Sequence, residues 1–102
     1  MRLTDFQRTH ICQEVMSCFG SKSHVWLFGS RVHDHQKGGD IDLYIEPELQ
    51  GNDTLVNAKL HFLMNIHRLI GEQKIDVVLY QKESHMDLAI YHIAKETGVL
   101  LQ

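Results

Sequence analysis

Two periods of apolar and polar positions run along this chain, and the switches between them outline its elements. Phe6, Ile11, Val15, Cys18 and Phe19 recur at near-helical spacing. Thr4 precedes them, with Gln7 three residues on as its capping-box partner, and Gly20 is a natural stop. A helix is therefore predicted over residues 5–19. His24-Val25-Trp26-Leu27-Phe28 is short and apolar on both faces, the pattern of a central strand. Ile41 to Glu46 reads as a second strand, stopped by Pro47, the only proline. Gly51-Asn52-Asp53 then opens the strongest amphipathic pattern, in which Leu55, Val56, Leu60, Phe62, Leu63, Ile66, Leu69 and Ile70 are predicted to form one stripe, closed by Gly71. Lys74 to Tyr80 predicts a third strand. Ser84 with Asp87 predicts the cap of a last helix over residues 85–96, ended by Gly98. Val99-Leu100-Leu101 is an extended tail whose pairing the pattern leaves open. The expected fold is α/β (α+β): a small mixed three-stranded sheet with helices packed on it, in a single domain spanning residues 1–102.

The polar interruptions carry the chemistry. Side chains alternate across a strand, so Asp40 and Asp42 share one face while Ile41, Leu43 and Ile45 take the other. Two adjacent aspartates repel unless a counter-charge sits between them, and Mg²⁺ sites are built from such oxygen ligands. Upstream, Gly29-Ser30 ends a strand at a turn, where backbone N–H groups and a hydroxyl can meet phosphate. Gly38-Gly39 marks a tight turn or a close backbone approach to a ligand. Asp76 stands inside an otherwise apolar strand, which is costly unless the acid is paired or liganded. A phosphate holder beside a metal holder points to a nucleoside triphosphate site.

Composition narrows the class. The 102 residues, 43% hydrophobic, suffice for one packed core. A net charge of -3 argues against a broad nucleic-acid-binding surface, so no direct nucleic-acid binding is expected. Cys12 and Cys18 suggest no disulfide framework and read as reduced thiols. No segment reaches the roughly 18 apolar residues of a membrane span, and the N-terminus lacks a signal-peptide layout. A cytoplasmic protein without membrane contact is expected.

The order strand-Gly-Ser, loop, Asp-x-Asp on a strand, then a lone strand Asp after a helix resembles the DNA-polymerase-beta type of nucleotidyltransferase, and most closely its minimal (MNT-type) members. The stretch V-W-L-F-G-S-R…G-G-D-I-D-L-Y-I carries the resemblance, and the element order extends it over nearly the whole chain. It implies that Gly29, Ser30 and Arg31 bind the nucleotide phosphates. It also implies that Asp40, Asp42 and Asp76 are the catalytic, metal-binding acids of a two-ion Mg²⁺ site with ATP as substrate. The pattern departs from the family at His33-Asp34-His35, where many relatives carry a basic residue and a glycine. Larger relatives use a second domain to hold base or acceptor. This chain has no room for one, so a partner protein or a homodimer is expected to complete the site. MNT proteins are often encoded beside HEPN-domain toxins, and some transfer AMP to a tyrosine of that partner. The resemblance therefore implies an antitoxin of a toxin–antitoxin pair.

Blander readings stand beside these. Gly29-Ser30 alone is a strand-ending turn, Asp40 and Asp42 alone are solvated acids at a strand entry, and Asp76 could form a structural ion pair with Arg31 or a lysine. Among the eight histidines, His61 and His67 fall on different helix faces and do not converge on a metal. The alternative function is a non-catalytic nucleotide-binding module that neutralises its partner by direct complex formation. Transfer to a small molecule is a third reading, disfavoured by the missing second domain.

Overall fold

Helix α1 (Asp5–Phe19) starts where the capping box predicts. The Thr4 hydroxyl accepts from Gln7 N–H at 3.0 Å, and the Gln7 side chain accepts from Thr4 N–H at 3.0 Å. Two otherwise unpaired donors are thus satisfied. Thr4→Ala is expected to lower stability by about 1 kcal/mol in urea denaturation. The computed structural model describes residues 3–29, 41–71, 73–81 and 89–102. The predicted Ser84–Asp87 cap lies outside the described residues.

Strands β1 (His24–Phe28), β2 (Ile41–Glu46), β3 (Ile75–Leu79) and β4 (Val99–Leu100) form one sheet in the order β3-β2-β1-β4. β1 pairs antiparallel with β2 and with β4, whereas β2 and β3 are parallel. Helix α2 (Asn52–Ile70) is the crossover that a parallel pair requires. The central place predicted for β1 holds. The expected three-stranded sheet is corrected to four strands, because the tail pairs with β1. Leu101 N–H donates to the Val25 carbonyl at 2.8 Å, and Val25 N–H to the Gln102 carbonyl at 3.1 Å. A two-residue strand is too short for alternation to reveal. Gly98 permits the join: a Cβ there would run into the carbonyls of Ala94 and Leu27 as α3 (Ala89–Thr97) hands over to β4.

The sheet buries both faces. Val25, Leu27, Leu43 and Ile45 turn toward α1 and α2, where Phe19 and Phe62 meet at 5.7 Å between ring centroids. Tyr44, Tyr91 and Ala94 form a smaller core under α3, flanked by Trp26, Phe28 and Val78. The predicted α2 stripe is too wide. Leu55, Phe62 and Ile66 are buried, but Val56 and Leu60 are 59% and 55% exposed. At 3.6 residues per turn, Leu60 lies about 140° round the helix from Leu55 and cannot share its face. Among the described residues, no helix is long and apolar enough to cross a membrane.

Candidate active site

Strand register assembles the site. Phe28 on β1 lies opposite Asp42 on β2, and Asp42 lies beside Asp76 on β3. Neighbouring strands run about 4.8 Å apart, so the two carboxylates are adjacent on one face. That face is the α3 side: Asp42 alternates with Leu43, which is buried among α1 and α2. Asp42 is half-buried and Asp76 is exposed. The expectation that Asp76 bears a burial cost is therefore corrected, since water reaches it from the edge strand.

Gly29 follows Phe28 and brings the backbone against the same carboxylate. Its φ is +78°, a region that L side chains rarely adopt, and a Cβ there would run into Asp42 Oδ2. Sequence alone marks Gly29 as a strand end; the structure adds that only glycine leaves room for Asp42. Three predicted site residues, Gly29, Asp42 and Asp76, are thus placed at one end of the sheet. Ser30, Arg31, Asp40 and the His33-Asp34-His35 loop lie outside the described residues. Among the described residues no three His, Cys, Asp or Glu side chains group closely enough to hold a metal ion. Asp42 and Asp76 still suit one in kind: two hard oxygen donors of like charge, adjacent and reached by solvent, which a divalent cation would neutralise.

The next rows on this face are not empty. Tyr44, two residues beyond Asp42, stacks between Trp26 and Tyr91 at centroid distances of 5.3 and 5.6 Å. Its hydroxyl donates to Glu46 Oε2 at 2.9 Å, and Lys95 Nζ reaches the same oxygen at 3.1 Å while lying 5.4 Å from the Trp26 ring centroid. The only trace of this network in the sequence is the alternation that carries on from Asp42 to Tyr44 and Glu46. Burial, with the hydrogen bond to Glu46 and its charge, pushes the Tyr44 hydroxyl well above the usual tyrosine range. The raised value stabilises the fold fully below pH about 10, and that stability is lost as pH rises further and Tyr44 ionises. Tyr44→Phe is expected to cost about 1 kcal/mol at neutral pH and to flatten the alkaline limb of a stability–pH curve. The thiols are quieter. Cys12 and Cys18 are free, and burial raises both, which keeps them protonated and unreactive.

Residues 12–102 match the family model described as polymerase beta, nucleotidyltransferase. The chain belongs to this nucleotidyltransferase family. No curated protein matches it. The match spans Gly29 at the end of β1, Asp42 on β2 and Asp76 on β3, the residues that strand pairing brings to one end of the sheet. Members of the superfamily typically use a nucleoside triphosphate and a divalent metal, and the carboxylates of this nucleotidyltransferase domain are of the type that such a metal takes.

Proposed function

We propose that this nucleotidyltransferase is Mg²⁺-dependent and transfers AMP from ATP to a tyrosine of a HEPN-type toxin, acting as the antitoxin of the pair. The reading rests on one observation: Asp42 and Asp76 lie side by side in register, with Gly29 packed against Asp42. Asp40, Asp42 and Asp76 would hold Mg²⁺, which supplies charge neutralisation at the triphosphate and acidification of the attacking hydroxyl. Gly29, Ser30 and Arg31 would hold the phosphates. The acceptor oxygen attacks the α-phosphorus, the bond from the α-phosphorus to its bridging oxygen breaks, and pyrophosphate leaves with the electron pair. Asp76, the more exposed acid, would orient the acceptor hydroxyl and take its proton. Positioning and charge make up most of such catalysis, so few residues are needed. Adenine, the tyrosine acceptor and the HEPN partner rest on the MNT resemblance. So does the reading of the 102-residue chain as one minimal domain completed by a partner.

The test uses the chain, the protein encoded beside it, ATP and Mg²⁺, with intact-mass spectrometry of both proteins. One added AMP on the neighbour supports the proposal, and tryptic mapping locates the tyrosine. If both proteins keep their masses while a stable complex forms, the chain is the non-catalytic module instead.

A further inference from the structure

Among the described residues, β3 has a hydrogen-bonded neighbour on one side only. Ile41 N–H donates to the Lys74 carbonyl and Tyr80 N–H to the Ile45 carbonyl, both at 2.9 Å. In a parallel ladder this sets the even-numbered residues of β3 inward, toward β2. Ile75, Val77 and Leu79 therefore turn their N–H and C=O groups to the open edge. The Leu79 carbonyl takes a long 3.4 Å bond from the Tyr91 hydroxyl and keeps a second lone pair. The other edge strand, β4, has only two residues and makes a poor template.

Helix α2 runs antiparallel to β3 along the same flank. Near its start, Asn52 and Val56 share a cavity of about 240 Å³ with Leu79 and Gln81. Near its end, His67 Nε2 lies 2.9 Å from the Gln73 carbonyl, just before β3. Two exposed residues of the predicted stripe lie here: Val56 and Leu60 are 59% and 55% exposed, with Met64 at the outer rim 61% exposed. An open strand edge and an exposed apolar ridge thus run side by side. From Val56 to His67 the helix rises about 16 Å, and the five residues of β3 span about 13 Å.

We propose that this flank pairs with the same flank of a second copy, β3 against β3 antiparallel, joining two four-stranded sheets into one. The flank is self-complementary under a two-fold axis, the condition for a closed dimer. With Val77 opposite Val77 of the second copy, Ile75 falls opposite Leu79, and every outward N–H and C=O of the three odd residues meets a partner. Asp76 then faces Val78. The register one step away sets Asp76 opposite Asp76, where like charges repel and fewer hydrogen bonds form. Charge thus selects the Val77-centred pairing. Counted from the His67–Gln73 contact, Leu60 lies about 10 Å along the flank and Val77 about 13 Å, so both approach the axis and the two α2 ridges meet. The Asp76 side chain stays on the α3 face, so pairing leaves the carboxylate row open. One short strand pair with two apolar helix ridges is a small contact beside the roughly 1,200–2,000 Å² of stable interfaces, so weak association, on the order of micromolar, is expected.

Sedimentation velocity on the 102-residue chain across a concentration series tests this. The wild type is expected to dimerise, with at least tenfold weaker association in Leu60→Lys and in Val77→Pro. Leu60 is exposed, so its variant keeps the wild-type thermal midpoint. Proline at Val77 removes an outward N–H and keeps the ladder to β2, but it also takes the buried Val77 side chain out of the core, so its thermal midpoint is expected to fall and Leu60→Lys is the variant that isolates the interface. A monomeric wild type, or a dimer that neither variant weakens, overturns the proposal. A chain that is monomeric alone, with Leu60 protected only when the neighbouring protein is added, also overturns it and assigns the ridge to that partner.

Discussion

Asp42→Asn is expected to lower nucleotidyl transfer about a thousandfold while leaving the chain folded. The amide keeps the shape of the side chain and removes its charge. Asp42 lies at the centre of the site, with Phe28 on one side, Asp76 on the other and Gly29 pressed against its carboxylate. An anionic ligand that helps hold a cation at a phosphoryl centre contributes several kcal/mol of transition-state stabilisation, and about 4 kcal/mol corresponds to a factor of a thousand. A second readout separates lost metal binding from lost fold. Mg²⁺ should raise the thermal midpoint of the wild type, since a ligand that binds only the native state stabilises it. The same addition should leave Asp42→Asn unmoved. A variant that keeps both its activity and its Mg²⁺-dependent midpoint would remove Asp42 from the site altogether.

Which parts of this picture could be read from the sequence follows from the range of the forces involved. Helix α1 was legible at both ends because its signals are local: Thr4 and Gln7 satisfy each other, and Gly20 closes the last turn through its N–H to the Met16 carbonyl. The three long strands were legible for the same reason: β1 is a short run apolar on both faces, β2 is an apolar run stopped by Pro47, and β3 is an apolar run broken only by Asp76. The fourth strand was not. Val99 and Leu100 extend because β1 offers an open edge, and that cause lies some seventy residues away in the chain. The width of the α2 stripe failed on geometry. Hydrophobicity alone placed Leu60 in the core, whereas a helix lying on one sheet face buries a single arc of its surface. In the site, alternation correctly separated Asp42 from Leu43. That Asp42 and Asp76 are direct neighbours required the parallel register of β2 with β3, which no local pattern encodes. Nor could spacing reveal that Gly29 makes room for Asp42, because that contact exists only once β1 and β2 have paired.

Gly29→Ala tests that contact, and it should damage activity more than stability. The methyl group meets two obstacles. With φ at +78°, an L residue is strained by about 1–2 kcal/mol. The new Cβ also occupies space held by Asp42 Oδ2, so either the turn or the carboxylate must move. Displacement of about 1 Å at a reacting centre can cost a hundredfold in rate, and a loss of that order is expected. Gly29→Asn divides the two effects. Asparagine tolerates positive φ better than alanine, so it should recover part of the stability. Its Cβ is the same obstacle, so activity should stay low. If Gly29→Asn recovered activity along with stability, backbone strain would be the whole defect and the position of the Asp42 carboxylate would not be what Gly29 protects. If the two variants are equally inactive and differ only in thermal midpoint, the glycine is there to let the β1 turn and the Asp42 carboxylate occupy one small space.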